Sequence, residues 1–143
     1  MTPVVSRTLD YLDSLLPYIG CQNVSIFVTT LLMEMGFEPD WDGFNHVRQL
    51  IVLCCHNPEM RINDLYIELI RLNHDKYWNS HQLTQSIHAT IIKGYDNRVP
   101  EIWNALFNQD TWDRPPQNKI LIMRLGRLME VWECKRRDEH GTE

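Results

Sequence analysis

The sequence contains no long hydrophobic run. Its longest apolar stretch, Leu50–Cys55, spans only six residues, whereas a helix needs about 20 apolar residues to cross a bilayer. The N-terminus also lacks a basic segment followed by an apolar one, so we expect no signal peptide. Together these absences predict a cytoplasmic protein that does not enter a membrane.

Cysteines are few, and their spacing argues against a disulfide framework. Two of the four are adjacent and end an apolar run, which is typical of buried thiols in a reducing compartment. Cys55 and His56 could supply half of a zinc site, but no Cys-x-x-Cys or His-x-x-x-His pair accompanies them. We therefore expect reduced thiols, no metal and no cofactor. The cysteines are Cys21, Cys54, Cys55 and Cys134.

The sequence also lacks the common signatures of enzymes. It has no glycine-rich phosphate loop, no Gly-x-Ser-x-Gly and no paired carboxylate set. Asp40 and Asp42 flank Trp41 and are expected to cap a helix. A cysteine beside His56 has the composition of a nucleophile with its base, but burial at the end of an apolar helix keeps a thiol neutral and inert. We expect no catalytic residues and no small-molecule substrate.

Negative charge predominates, with a net charge of −5, and this mildly disfavours a nucleic-acid partner. The charges are unevenly distributed. Residues 1–60 carry two basic and seven acidic groups, whereas residues 111–143 carry seven basic and six acidic groups. A surface that accepts phosphate must therefore lie in the C-terminal two-thirds of the chain.

Apolar residues recur at helical spacing along almost the whole chain, and no alternating run bounded by turn signals indicates a strand. The pattern predicts an all-α, compact multi-helix domain with no substantial sheet. Gly36 is expected to end the second helix. The predicted helices are Leu9–Leu16, Val24–Met35, Trp41–Cys55, Ile62–Tyr77, Ser80–Tyr95, Pro100–Phe107 and Asn118–Lys135.

Three blocks of this sequence resemble the C-terminal effector domain of the stage zero sporulation response regulator, of the sporulation initiation factor A family. They occur in the same order and at nearly the same spacing as in that domain, and cover about Val24 to Glu133. The blocks are VTTLLMEMGFEPDWDGF (Val28–Phe44), DKYWNSHQLTQSIHATIIKGYDNRVPEIWNALF (Asp75–Phe107) and PQNKILIMRLGRLMEVWE (Pro116–Glu133).

The resemblance implies a helix-turn-helix at the centre of the domain and a transcription regulator that binds double-stranded DNA. It suggests three parts: an N-terminal helix and linker over 1–23, the effector-like domain over 24–135 and a polar tail over 136–143. In the family a receiver domain precedes the effector domain and controls its dimerisation. With about 23 residues ahead of Val24, we expect no receiver here and no control by aspartyl phosphorylation in cis.

The resemblance places the recognition helix over Ser80–Tyr95. Such a helix needs a capped N-terminus, one apolar face and outward side chains that reach base edges. Ser80 is the expected cap, and leucine and isoleucine supply the inner face. Glutamine can bind adenine in bidentate fashion, and threonine can contact any base. The expected outward set is His81, Gln82, Thr84, Gln85, His88 and Lys93.

Two departures from the family bear on this expectation. The family carries arginines at the positions that match Gln82 and Gln85, so strong guanine or phosphate contacts are missing here. The preceding helix lacks the family's proline and has Asn73 and His74 where apolar or small residues usually pack. Either DNA specificity has changed or DNA binding has been lost.

Phosphate contacts could come from Arg98, just after the recognition helix, and from Arg124 and Arg127 on the last helix. Alternatively, Arg124 and Arg127 could form surface ion pairs with Glu130 or Glu133, which contribute little to stability. The residues leave both alternatives open.

Two functions therefore remain open: a sequence-specific DNA-binding regulator, and a degenerate effector-like module that binds protein. The second could form a homodimer through Leu9–Leu16, or pair with a regulator and antagonise it. The acidic balance of the chain and the missing arginines favour the second function, whereas the resemblance favours the first.

Overall fold

The structure is a computed structural model that describes residues 23–73 and 79–140, together with Thr8, Asp10 and Ser14. Residues 23–73 and 79–140 form six helices, and no described residue lies in a strand, which confirms the predicted all-α fold. Within the same residues, no helix combines the length and the apolarity needed to cross a bilayer. The helices are α1 (Val24–Met35), α2 (Phe44–His56), α3 (Ile62–Leu72), α4 (Ser80–Asp96), α5 (Pro100–Phe107) and α6 (Asn118–His140).

Helix α2 lies at the centre of the fold and packs against α1, α3, α4 and α6. Its Val47, Leu50 and Ile51 follow the i, i+3, i+4 spacing of one helix face and are completely buried. Burial of each such side chain contributes about 1.5–3 kcal/mol. The longest shared surface is with α6, which runs alongside α2.

A cluster of aromatic rings holds α5 against the end of α1. The indole of Trp103 is buried, and its Nε1 donates a hydrogen bond of 2.8 Å to the carbonyl oxygen of Met35. Phe37 and Phe107 stack near it, with ring centroids 6.0 and 5.7 Å from that of Trp103. Trp132 is also buried, 4.3 Å from the ring centroid of Phe27. Trp103 and Trp132 are therefore part of the hydrophobic core.

Gly36 ends α1 in the left-handed conformation, with φ 116°, as predicted. Its N–H bonds to carbonyl oxygens of the last turn of α1, which an αL residue after a helix makes possible. A side chain here would overlap the carbonyl group of Asn97. Asn97 in turn donates from Nδ2 to the Gly36 oxygen at 2.7 Å. This glycine therefore allows the end of α4 to lie directly on the end of α1.

The start of α2 differs from its prediction. The helix begins at Phe44, its N-cap is Gly43, and no side chain caps it. The predicted caps Asp40 and Asp42 are wrong because the backbone forms turns instead, in which the N–H of Phe44 donates to the oxygen of Trp41 at 3.0 Å. The first residues of the predicted helix are used in this turn.

Two helix ends also differ from their predictions. Helix α3 ends at Leu72, because Asn73 leaves the helical conformation and donates from its side chain to the oxygen of Leu69 at 2.9 Å. The predicted end at Tyr77 falls among residues outside the described part of the chain. Helix α6 continues to His140, so the predicted tail from residue 136 is helical that far.

The predicted N-terminal helix, Leu9–Leu16, lies mostly outside the described residues. Thr8, Asp10 and Ser14 are helical. Thr8 is buried, and its hydroxyl donates to the carbonyl oxygen of Ala105 in α5 at 3.2 Å. This contact ties one residue of the predicted N-terminal part of the chain to the helical domain.

Candidate nucleic-acid interface

The start of helix α4 is fixed by a capping box. The side chain of Asn79 accepts from the N–H of Gln82 at 2.8 Å, and the Gln82 side chain accepts from the N–H of Asn79 at 3.1 Å. Two backbone donors that the helix leaves unused are satisfied reciprocally in this way. The cap is therefore Asn79, and the predicted cap Ser80 is the first helical residue. The Oε1 of Gln82 is also committed to the backbone.

The inner face of α4 agrees with its prediction. Leu83, Ile87 and Ile91 are completely or almost completely buried. A second anchor comes from α6, where the Nδ2 of Asn118 donates to the carbonyl oxygen of Thr84 at 3.1 Å. Apolar packing from beneath and one long-range hydrogen bond thus fix the orientation of the first two turns of α4.

The outer face presents most of the predicted polar side chains to solvent. His81, Gln85 and His88 are exposed and form one stripe, because their spacing is i, i+4 and i+7. Ser80 and Gln82 are exposed beside this stripe. Thr84, in contrast, is half-buried and its hydroxyl donates to the oxygen of Ser80 at 2.7 Å. The hydroxyl hydrogen of Thr84 is therefore used within the helix.

Carboxylates are absent from most of this face. The sixteen residues from Ser80 to Tyr95 include no Asp or Glu, in a chain that has nineteen of them. Lys93 is exposed, and its Nζ lies 5.8 Å from the ring centroid of Trp41. The outer face of α4 therefore carries no Asp, Glu, Lys or Arg over its first three turns, and its end carries Lys93 together with the exposed Asp96.

Arg98 and Arg124, predicted as phosphate contacts, are engaged within the protein. The guanidinium of Arg98 lies 3.9 Å from the ring centroid of Tyr95 and donates to the oxygen of that residue at 2.8 Å. Nε of Arg124 donates at 2.8 Å to the oxygen of Leu106, in the last turn of α5. A cation is favourable there because helix C-termini are negative.

Burial further limits Arg124. Its Nη2 is buried and has no hydrogen-bond partner among the described residues, and burial lowers the pKa of the guanidinium. Arg124 therefore links α5 to α6 instead of forming the surface ion pair that the sequence left open. Arg127 is exposed on α6, near Cys54 of α2. At 1.5 Å per residue, it lies about 14 Å along the α6 axis from the contact with α4.

Lys119 is a cation near α4 that sequence reasoning missed. It is exposed and follows Asn118, whose side chain contacts the backbone of α4 at Thr84. Asn118 and Thr84 are 34 positions apart in the sequence, and nothing in the local pattern indicates that they are in contact. A contact between the first turn of one helix and the carbonyl of another could be found only from the packed structure.

A second cluster of reactive side chains lies where α2 ends against α6. Cys54 and Cys55 are buried and form no disulfide, as predicted, whereas Cys21 lies outside the described residues. Burial raises the pKa of Cys54, and nearby Arg127 opposes this shift. Burial, with the negative charge of Glu133 and other acidic neighbours, raises the pKa of Cys55 to about 12. Both thiols are therefore protonated at neutral pH.

The cluster also contains a partner for Cys55 and His56 that the sequence did not indicate. Oε2 of Glu133 lies 3.7 Å from Nε2 of His56 and 4.0 Å from Sγ of Cys55. Glu133 is 78 residues from Cys55 along the chain. The absence of a metal site was predicted from the spacing of neighbouring residues. That spacing cannot reveal a carboxylate that a distant helix contributes.

Comparison of the chain with models of protein families, with curated proteins and with solved structures finds no match.

Proposed function

We propose that this chain binds double-stranded DNA as a transcription regulator, with helix α4 in the major groove. One observation carries the proposal. The exposed stripe of His81, Gln85 and His88 offers hydrogen-bonding groups on a helix that has no carboxylate between Ser80 and Tyr95. The resemblance of three sequence blocks to the sporulation effector domain supports the same function.

The chemistry of the stripe suits direct readout of bases. The major groove is about 12 Å wide and admits one helix, whose outward side chains meet the base edges. The side-chain amide of Gln85 can donate a hydrogen bond to N7 of adenine and accept one from the N6 amino group of the same base. Gln82 contributes less than the sequence suggested, because its oxygen belongs to the capping box. Gln85 is therefore the main specificity residue of the proposal.

Phosphate contacts would come from few cations. Lys119 beside the start of α4 and Lys93 near its end are exposed on or near this face, whereas Arg98 and Arg124 are engaged internally. Each phosphate that a cation neutralises contributes about −0.9 to the slope of log K against log salt for duplex DNA. With these two cations in each chain, we expect a slope of about −2 per bound chain.

The proposal is tested by selecting bound duplexes from a random DNA pool with the full chain at low salt. Affinity for the selected duplex is then measured by fluorescence anisotropy for the original chain and for Gln85→Ala. Gln109→Ala is the matched control, because Gln109 is an exposed glutamine outside α4. Loss of one bidentate base contact costs about 1–3 kcal/mol, so Gln85→Ala should weaken specific binding by about 5- to 150-fold.

The selection and the affinity measurements together show whether the proposed DNA binding is correct. Enrichment of one sequence, with binding weakened by Gln85→Ala and not by Gln109→Ala, supports the proposal. Lys119→Ala should weaken binding to all duplexes alike and make the salt slope shallower by about one. If no duplex is enriched and no DNA is retained at low salt, the proposal of DNA binding is overturned.

A protein-binding module is the second candidate, and exposed apolar residues on α3 favour it. The side chains of Ile67 and Leu72 are 59% and 51% exposed on the helix that precedes α4. Contact with a protein partner would remove these apolar side chains from water. If DNA is not retained, light scattering of the chain and of Ile67→Glu tests for a homodimer. A dimer that this substitution dissociates would select the second candidate.

A further inference from the structure

A cleft between the end of α2 and α6 brings sulfur, nitrogen and oxygen donors together. At 1.5 Å per residue, it lies about 22 Å along the α6 axis from Asn118, so it is separate from the proposed DNA-binding face. Its volume is about 270 Å³. The residues that line it are Cys55, His56, Pro58, Glu130, Glu133 and Cys134.

Three donor atoms in this cleft are close to the spacing of metal ligands. Glu133 Oε2 is 3.7 Å from His56 Nε2 and 4.0 Å from Cys55 Sγ, and one donor atom from each residue lies within 4.8 Å of the others. Ligands around a tetrahedral zinc ion, bound at about 2.0–2.3 Å, are roughly 3.4–3.6 Å apart. The donors therefore need to approach one another by only a few tenths of an ångström to about 1 Å.

The electrostatic environment of the cleft favours a cation. Two carboxylates, Glu130 and Glu133, line it, and no lysine or arginine is among its lining residues. Cys55 and His56 also belong to the last turn of α2, where the helix end is negative. Metal ligation replaces a weak contact between a neutral thiol and a carboxylate with attraction of both groups to one ion.

We propose that Cys55, His56 and Glu133 bind a zinc ion, and that Cys134, which lines the same cleft outside this cluster of three, turns its thiolate toward the ion as the fourth ligand. Mixed thiolate, imidazole and carboxylate donors suit this borderline-soft cation. Each cysteine thiol releases its proton to solvent when its sulfur binds the metal. Four protein ligands leave no open position, so the zinc is structural and ties the end of α2 to the last turns of α6.

The test measures zinc uptake by the untagged full chain in competition with a chromophoric chelator, and replaces zinc with cobalt for spectroscopy. Cobalt should give thiolate charge-transfer absorption and the intense ligand-field bands of tetrahedral coordination. His56→Gln and Glu133→Gln change side chains that are 50% and 29% exposed, so these variants are expected to fold. Glu34→Gln and Glu59→Gln are the matched controls, since both change exposed residues outside the cleft.

One zinc per chain is expected. His56→Gln and Glu133→Gln should each lower its affinity by more than the 10- to 100-fold that loss of an outer-shell partner causes. Cys134→Ser should weaken binding as well, and both controls should bind as the original chain does. An affinity that Cys134→Ser leaves unchanged would refute the assignment of the fourth ligand.

Absence of uptake, or uptake that His56→Gln and Glu133→Gln leave unchanged, would overturn the zinc site. So would cobalt spectra without thiolate absorption. These outcomes are distinguishable from failure of DNA binding, because the measurements use no nucleic acid and the cleft lies at the other end of α6.

Discussion

The side chain of Asn118 at the start of α6 donates a hydrogen bond of 3.1 Å to the carbonyl oxygen of Thr84 in α4. Asn118 is buried, and the bond spans 34 residues of sequence. It therefore couples the position of the proposed recognition helix to the last helix of the fold.

We expect Asn118→Ala to lower the free energy of unfolding by about 1–2 kcal/mol, because a buried hydrogen bond is lost. Urea denaturation followed by circular dichroism measures the change. The control is Asn45→Ala, at an exposed asparagine of α2 outside this contact. A loss of stability at Asn118 no larger than that of the control would contradict the coupling.

Substitution of the α4 cap should destabilise the protein by a similar amount. Asn79→Ala removes the acceptor for the N–H of Gln82, and loss of an N-cap side chain typically costs about 1 kcal/mol. Asn79→Asp keeps an acceptor in the same place and should retain most of the stability. Thermal denaturation compares the three chains, and equal stability of the alanine and aspartate variants would count against the capping box.

Gly126 should not tolerate a side chain. A Cβ at this position of α6 would lie 2.5 Å from Sγ and 2.6 Å from Cβ of Cys54 in α2. Overpacking of a core contact costs about 1–3 kcal/mol, so Gly126→Ala should lower the urea midpoint. Cys54→Ala removes only the sulfur, so the double variant should recover part of the loss. Full additivity of the two substitutions would show that the two helices do not meet here.

Alkaline pH should destabilise the metal-free protein. The pKa of Cys55 is raised to about 12 in the folded chain, mainly by burial, and burial also raises the pKa values of Cys54 and Tyr66. The unfolded chain loses these protons nearer the ordinary values of 9.0 for cysteine and 10.0 for tyrosine. Stability that is present below about pH 9 is therefore lost as the pH rises toward 12.

Each such group contributes a fall of at most about 1.4 kcal/mol per pH unit. Urea denaturation in the presence of a chelator, from about pH 7 to about pH 11, measures the slope, and Cys55→Ala should make it shallower. A free energy of unfolding that stays constant above pH 9 would mean that these groups ionise as easily in the folded chain as in the unfolded one.

Helical periodicity predicted the helical class and the inner faces well, because both follow from local spacing. The i, i+4, i+8 pattern alone correctly placed Leu83, Ile87 and Ile91 on the inner face of α4. Gly36 was identified as a helix end because a left-handed residue favours glycine. These features depend on a few neighbouring residues, so the sequence contains them directly.

Helix boundaries and long-range partners were predicted less well. Asp42 has the side chain of a good cap, yet a backbone turn through Trp41 sets where α2 begins. Arg124 has the pattern of a surface cation, yet its guanidinium bonds to the end of α5. In each case the outcome depends on which groups meet after packing, and side-chain type alone does not determine that.

The capping box at the start of α4 has a consequence for engineering. Since the Oε1 of Gln82 holds the backbone of Asn79, a library randomised at Gln82 selects for stable folding together with any new sequence preference. A library at Gln85 does not carry that double selection, because no side-chain bond in the described structure depends on it. To change the sequence preference of the proposed DNA binding, Gln85 should therefore be varied and its neighbour three positions earlier left intact.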